Sequence, residues 1–274
     1  MMVMRKINLL LVALIVSMAT CSQAAGKKKT REAYEIKQSV LFADGSLDEY
    51  TASTWNNDFS HVDKQERYSA SGATLEKVEF AYYPDNGYVS TKLIKNVENQ
   101  LKSRVVYQYD PQQGYLVRES LRNAKNTPLS TYEYAYDSKG KQTSRIILSR
   151  EGKKLAETIY KYDGQGKMVS SQTRDALDNE ISSTEYTYDA QGNLIKQVVL
   201  DINKKPTSVI NAVWQDGREV KNEMLSADGS VQIRVTNEYG NDGELLKKTI
   251  ENFQGDSKQI MQYEYKFGPA RKQS

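Results

Sequence analysis

Histidine and cysteine are almost missing from this chain: His61 and Cys21 are the only ones in 274 residues. A single cysteine excludes an internal disulfide, a Cys-based metal site and a redox motif. A single histidine excludes His-based zinc sites, a Ser-His-Asp triad and a Cys-His pair. Proline is scarce, and Pro84, Pro111, Pro128, Pro206 and Pro269 all sit at or near turns or in the tail. Net charge is also small. The chain has 38 Lys+Arg against 35 Asp+Glu, and Arg5 and Lys6 are the only charges in residues 1–24, so 36 stand against 35 after residue 24. Interspersed, balanced charge is no footprint for nucleic acid. Helix-period apolar stripes are absent after the first segment.

That first segment is the one long apolar run. Arg5 and Lys6 precede Ile7–Met18, broken only by Asn8 and Ser17. Two cations followed by about a dozen mostly apolar residues form a secretory leader, too short for a membrane-spanning helix of about 20 residues. Residues 1–24 are read as the signal peptide. Small residues in Ser22-Gln23-Ala24 allow cleavage before Ala25. Met18-Ala19-Thr20-Cys21 resembles a bacterial lipobox, in which Cys21 would be lipidated, although Met18 and Thr20 depart from its usual residues. Residues 25–33, with Lys27, Lys28, Lys29 and Arg31, read as a linker, either solvated or against anionic lipid.

The rest of the chain keeps time by turns. Gly87, Gly114, Gly140, Gly166, Gly192, Gly217 and Gly243 recur at about 26 residues, each shortly after an aromatic and three of them, Gly140, Gly166 and Gly192, in the text Tyr-Asp-x-x-Gly. A second series runs half a period out of step: Asp44-Gly45, Ser71-Gly72, Glu98-Asn99, Lys125-Asn126, Glu151-Gly152, Asp178-Asn179, Asn203-Lys204, Asp228-Gly229 and Gln254-Gly255. Gly, and less readily Asn and Asp, tolerate the positive φ of tight hairpin turns. Between turns the residues alternate, as in Val231-Gln232-Ile233-Arg234-Val235-Thr236, which is the pattern of a half-buried antiparallel strand. This predicts an all-β fold of about 18 strands over residues 34–267, tandem hairpin repeats forming an extended twisted meander sheet, with a loose tail at 268–274.

Tyrosine is unusually common, 19 against 5 Phe and 2 Trp. Pairs precede the first-series turns: Tyr107/Tyr109, Tyr134/Tyr136, Tyr160/Tyr162, Tyr186/Tyr188 and Tyr263/Tyr265. Residues i and i+2 share a strand face. The pairs therefore form a ladder, read either as the core or as a stacking surface for sugars or other flat ligands.

The text Tyr188-Asp189-Ala190-Gln191-Gly192-Asn193-Leu194, with partial copies at Tyr136, Tyr162 and Tyr239, resembles the YD-repeat (Rhs-like) family. The resemblance covers about Phe80 to Phe267 and implies long twisted hairpin sheets on exported proteins. The chain departs from it in its longer period, its short array and the lack of a following toxin or protease segment.

The expected function is non-enzymatic: a scaffold or binding module of the cell envelope, docking an envelope protein by strand addition at 260–267, an exposed sheet edge. Carbohydrate binding on the tyrosine ladder is the alternative. Less favoured are an outer-membrane barrel, which 18 strands permit but the charges at Lys221, Glu223, Lys247 and Glu251 oppose, and a glycoside-acting enzyme. Asp137, Asp163 and Asp189 repeat at turn positions, which speaks for geometry over catalysis. No cofactor or metal is expected, the address is periplasmic, cell-surface or extracellular, and membrane contact is expected only through a lipid on Cys21.

Overall fold

A computed structural model describes residues 33–55 and 61–267. The leader with Cys21, most of the linker and the tail lie outside the described residues. Eighteen strands follow one another: β1 (Ala33–Leu41), β2 (Leu47–Trp55), β3 (Val62–Ser69), β4 (Thr74–Tyr82), β5 (Val89–Lys95), β6 (Leu101–Tyr109), β7 (Leu116–Asn123), β8 (Pro128–Tyr136) and β9 (Gln142–Leu148) in the first half. The second half holds β10 (Lys154–Tyr162), β11 (Met168–Asp175), β12 (Glu180–Tyr188), β13 (Leu194–Leu200), β14 (Pro206–Gln215), β15 (Arg218–Ser226), β16 (Val231–Tyr239), β17 (Leu245–Asn252) and β18 (Ser257–Phe267).

Local chemistry explains the turns. In Tyr162-Asp163-Gly164-Gln165-Gly166-Lys167, the Asp163 amide donates to the Lys167 carbonyl and the Gly166 amide to the Asp163 carbonyl, at 2.9 and 3.0 Å. The Asp163 carboxylate accepts from the amides of Gln165 and Lys167 at 2.9 and 2.8 Å. Asp137 repeats this arrangement with the amides of Lys139 and Lys141. These aspartates are thus turn formers, as their spacing suggests. Gly166 adopts φ 82, which favours glycine because a Cβ crowds the following carbonyl oxygen there. The second series uses the same left-handed position without glycine at Asn99, Asn126, Asp178 and Lys204, with φ from 61 to 66. At Lys204 the Asp201 carboxylate holds the turn through the amides of Asn203 and Lys205. In the last turn the positive φ falls on Asp256, not on Gly255.

Each strand pairs antiparallel with its neighbours in sequence, and the last returns to the first. β18 pairs β1 with Ile36 opposite Tyr265, Gln38 opposite Tyr263, Val40 opposite Met261 and Leu41 opposite Ile260. The sheet is therefore closed into one 18-stranded barrel. This overturns the open twisted meander, and with it the fold implied by the YD-repeat resemblance. Closure also removes both free edges, so the strand 257–267, expected to dock a partner by strand addition, has its backbone groups already paired. Closure is the physical reason for the difference: edge-to-edge pairing satisfies two rows of backbone donors and acceptors that an open array leaves bare.

Eighteen strand spacings of about 4.8 Å give a circumference of about 86 Å and a diameter of at least about 27 Å, more when the strands tilt. Side chains from opposite walls cannot fill that width. Accordingly, among the described residues no large side chain is fully buried, and the buried apolar residues are few: Val78, Leu200, Ile233, Val235 and Ile250. Contacts run only between neighbouring strands.

The two faces of the wall differ. Away from strand ends, every exposed strand residue either belongs to one face, as with Gln108, Arg118, Ala135, Lys161, Glu185, Lys196, Asn211 and Glu238, or sits at an unpaired bulge position such as Leu155 or Leu246. The other face carries the paired tyrosines of the ladder, Ile233, Val235 and Ile250, all half-buried or buried, whereas Tyr50 and Tyr68 lie on the first face. Side chains converge on the concave side of a cylinder and diverge on the convex side. The crowded tyrosine face is the lumen; the charged face points outward. Lys221, Glu223, Lys247 and Glu251 are all on the outward face.

Candidate functional site: a tyrosine-lined lumen

All eight predicted stacking residues, Tyr107, Tyr109, Tyr134, Tyr136, Tyr160, Tyr162, Tyr186 and Tyr188, share the lumenal face, and the structure divides them into two rings. The second residue of each pair belongs to a ring near the first-series turns, where all but Tyr109 act as braces. The Tyr136 hydroxyl donates to the Leu116 carbonyl (2.9 Å), Tyr162 to Gln142 (2.8 Å) and Tyr188 to Met168 (2.9 Å). Tyr82, Trp214, Tyr239 and Tyr265 do the same to Val62, Leu194, Glu219 and Leu245. Every acceptor lies 20 residues upstream, opposite the preceding aromatic of the ring: Gln142 pairs Tyr136, and Met168 pairs Tyr162. The braces thus link each repeat to the next. Trp55, in the same column, has a buried indole Nε1 with no acceptor among the described residues.

After four of the first-series glycines, the next residue covers a brace ring in the following repeat. Tyr115 stacks on Tyr136 with centroids 4.9 Å apart, Lys141 Nζ lies 5.3 Å from the Tyr162 centroid, Lys167 Nζ 5.4 Å from Tyr188, and the Arg218 guanidinium 5.7 Å from Tyr239. Lys141 Nζ also donates to the Gly166 carbonyl at 2.7 Å. His61 packs on Tyr82 with centroids 3.9 Å apart. Sequence reading missed this role of Tyr82, Trp214, Tyr239 and Tyr265; the recurring aromatic ahead of each first-series turn is the signal that finds it.

The first residue of each pair forms a second ring nearer mid-wall: Tyr107, Tyr134, Tyr160, Tyr186 and Tyr263. Tyr134 bonds the Glu119 carboxylate at 3.4 Å and Tyr186 meets Ser171 Oγ at 3.2 Å. Arg145 stands opposite Tyr134 across the β8–β9 pair, and its buried Nε has no hydrogen-bond partner among the described residues. Burial pushes the Tyr107 phenol up to about 12 and raises the Tyr134 phenol as well, with the Glu119 carboxylate adding to both. Beside β15–β17, burial raises the Glu219 carboxyl and lowers the Lys248 ammonium. At the seam a lumenal recess of about 290 Å³ is lined by Ile36, Gln38, Thr51, Gln65, Tyr263 and others. No group of three or more metal-ligating side chains occurs among the described residues. The arrangement offers aromatic faces, phenols and a few charges to a solute inside the barrel.

No protein-family model matches the chain, and neither does any curated protein. Among solved structures, a porin-like protein from Bacteroides uniformis is similar at 10% identity over 86% of this chain and 99% of its own, with a TM-score of 0.45. A porin-like protein from Bacteroides vulgatus is similar at 11% identity over 88% and 100%, with a TM-score of 0.39. The TcdB2–TccC3 structure without its hypervariable C-terminal region matches at 12% identity, a TM-score of 0.33 and 84% of this chain, which spans only 18% of that one. The architecture described above rests on the strand pairing itself.

Proposed function

We propose that this chain is an exported, closed β-barrel of the cell envelope whose working surface is its lumen, where small solutes with flat or amphipathic faces are held or passed. The observation that carries this reading is the β1–β18 pairing, which turns a ladder of tyrosines into the wall of an enclosed space. It replaces the repeat scaffold and the carbohydrate-binding module, both of which need an open sheet. Tyr107, Tyr134, Tyr160 and Tyr186 are the proposed contact residues; Tyr136, Tyr162 and Tyr188 are committed to the wall. No catalytic role is proposed for any residue.

The outward charges support an aqueous surrounding. Arg234 pairs Glu223 at 2.7 Å, Lys247 pairs Glu238 at 2.8 Å and Lys95 pairs Glu79 at 2.6 Å. One Arg or Lys facing lipid at the bilayer midplane costs about 2–4 kcal/mol. A second reading, a barrel crossing the outer membrane, has its own support: closure, an even strand number and strands of 7–11 residues, close to the span required. Membrane contact solely through a lipid on Cys21 is therefore set aside, because a closed barrel offers a route across a bilayer that an open sheet lacks.

The test is fractionation of native envelopes from a Cys21→Ser strain, followed by conductance in planar bilayers. Release into buffer without detergent supports the solvated barrel. A detergent requirement together with discrete conductance steps supports the spanning one. In either case, lumenal binding of a planar aromatic probe that falls in Tyr107→Ala and Tyr160→Ala, and persists in Tyr162→Phe, supports the lumen as working surface. Binding indifferent to Tyr107 and Tyr160 refutes it.

A further inference from the structure

Six cations of the outward face, Lys37, Lys95, Arg118, Arg234, Lys247 and Lys258, are matched by a carboxylate on a neighbouring strand. Lys37 meets Glu264, Arg118 meets Glu133 and Lys258 meets Glu251. The β6–β7 pair instead sets two cations against each other. Arg104 lies directly opposite Arg122, so two guanidinium groups share one rung of the outer wall. Like charges directly opposite are destabilising. Neither arginine has a carboxylate within ion-pair distance among the described residues, and the Nε of each is buried with no hydrogen-bond partner. The same rung continues to Pro128 on β8 and, on the other side, to Leu93 on β5 and then Glu79 on β4. Nearby acids are engaged elsewhere: Glu79 with Lys95, Glu76 with Lys102 and Glu133 with Arg118. Lys77 flanks this surface, opposite Lys95, without a carboxylate partner among the described residues.

We propose that Arg104 and Arg122 form an oxyanion-binding site on the outside of the barrel, with a phosphate group as its ligand. Two planar guanidinium forks side by side supply more donors than one carboxylate can accept. A tetrahedral oxyanion carries three or four acceptor oxygens and up to two charges, and it satisfies both forks at once. The ligand also cancels the repulsion along the rung. The phosphate can be free in solution or carried on a lipid headgroup.

The site is tested by titrating the folded barrel with inorganic phosphate at low ionic strength and following heat. The variants are Arg104→Gln, Arg122→Gln and the control Arg118→Gln. Wild type is expected to bind one phosphate saturably. Arg104→Gln and Arg122→Gln each weaken binding about tenfold or more, the loss of one charge-assisted hydrogen bond, whereas Arg118→Gln is unchanged. Circular dichroism of each variant confirms that the strands remain. Co-sedimentation with phosphatidylcholine vesicles containing phosphatidic acid, lost in both variants and competed by free phosphate, assigns the headgroup as the source. Phosphate binding without vesicle binding assigns the free ion. No saturable binding to either probe, or equal binding by wild type and Arg104→Gln, overturns the site.

Discussion

If β1 and β18 are paired, a disulfide can lock the barrel shut. Val40 and Met261 face each other across that pair, on the lumenal side. Directly opposed residues have Cα atoms about 4.5–5.5 Å apart, within the range a disulfide spans. A Val40→Cys, Met261→Cys chain, with Cys21→Ser to remove the native thiol, should therefore oxidise within one molecule. The bridge closes a loop of about 220 residues, and the chain-entropy relation gives an upper stabilisation of about 5 kcal/mol. At about 2–4 °C per kcal/mol for a chain of this size, the melting temperature rises by about 10–20 °C. Strain reduces that figure, so its sign and its reversal by reductant are the robust observables. The assays are faster non-reducing gel mobility, loss of free thiol and thermal denaturation with and without reductant. In an open array the same positions lie about 80 Å apart, 17 strand spacings of about 4.8 Å. Monomers that stay reduced, or that form only intermolecular dimers at high dilution, would refute closure.

Other outcomes follow from the two tyrosine rings and the turns. Tyr162→Phe removes one brace to the Gln142 carbonyl and should cost about 1 kcal/mol, or about 2–4 °C in melting temperature, whereas Tyr160→Phe, whose hydroxyl has no hydrogen-bond partner among the described residues, should cost less. Gly166→Ala forces a Cβ into φ 82 and should cost about 1–2 kcal/mol by denaturant titration. Turn carboxylates at Asp228 (about 2), Asp137 and Asp189 are held below the usual range, Asp228 mainly by the Ser226 hydroxyl and Asp137 mainly by the Lys141 amide. Their folded values lie below their unfolded ones, so their stabilisation is complete above the unfolded value near 4 and fades as pH falls toward 2. Acid titration followed by circular dichroism checks this, and Asp228→Asn should flatten the curve. At the alkaline end the Tyr107 phenol titrates near 12 in the fold and near 10 when unfolded. Its stabilisation is therefore present below pH 10 and lost as pH rises through 12, which ultraviolet tyrosinate absorbance reads directly.

Local periodicity was enough to place the strands and turns. The recurrence at about 26 residues marks both turn series, and even glycine-free members such as Lys125-Asn126 and Asn203-Lys204 take the positive φ that their position demands. Alternation likewise separated a tyrosine face from a charged face, because side chains in a strand point to opposite sides with period 2. The division of each pair into a wall brace and a lumenal phenol was not legible. It depends on a carbonyl of the neighbouring strand, 20 residues upstream, opposite the preceding aromatic.

The sequence by itself determined an all-β chain of about eighteen hairpin-linked strands with one aromatic and one charged face, since turn chemistry and alternation act over a few residues. Tertiary structure alone decided that β18 returns to β1, that the tyrosines face inward and that Arg104 meets Arg122 unpaired. The backbone donors of a strand edge are the same whether the edge is free or joined. Closure is therefore fixed by the accumulated twist and curvature of all eighteen strands, a global quantity that no short stretch of residues records.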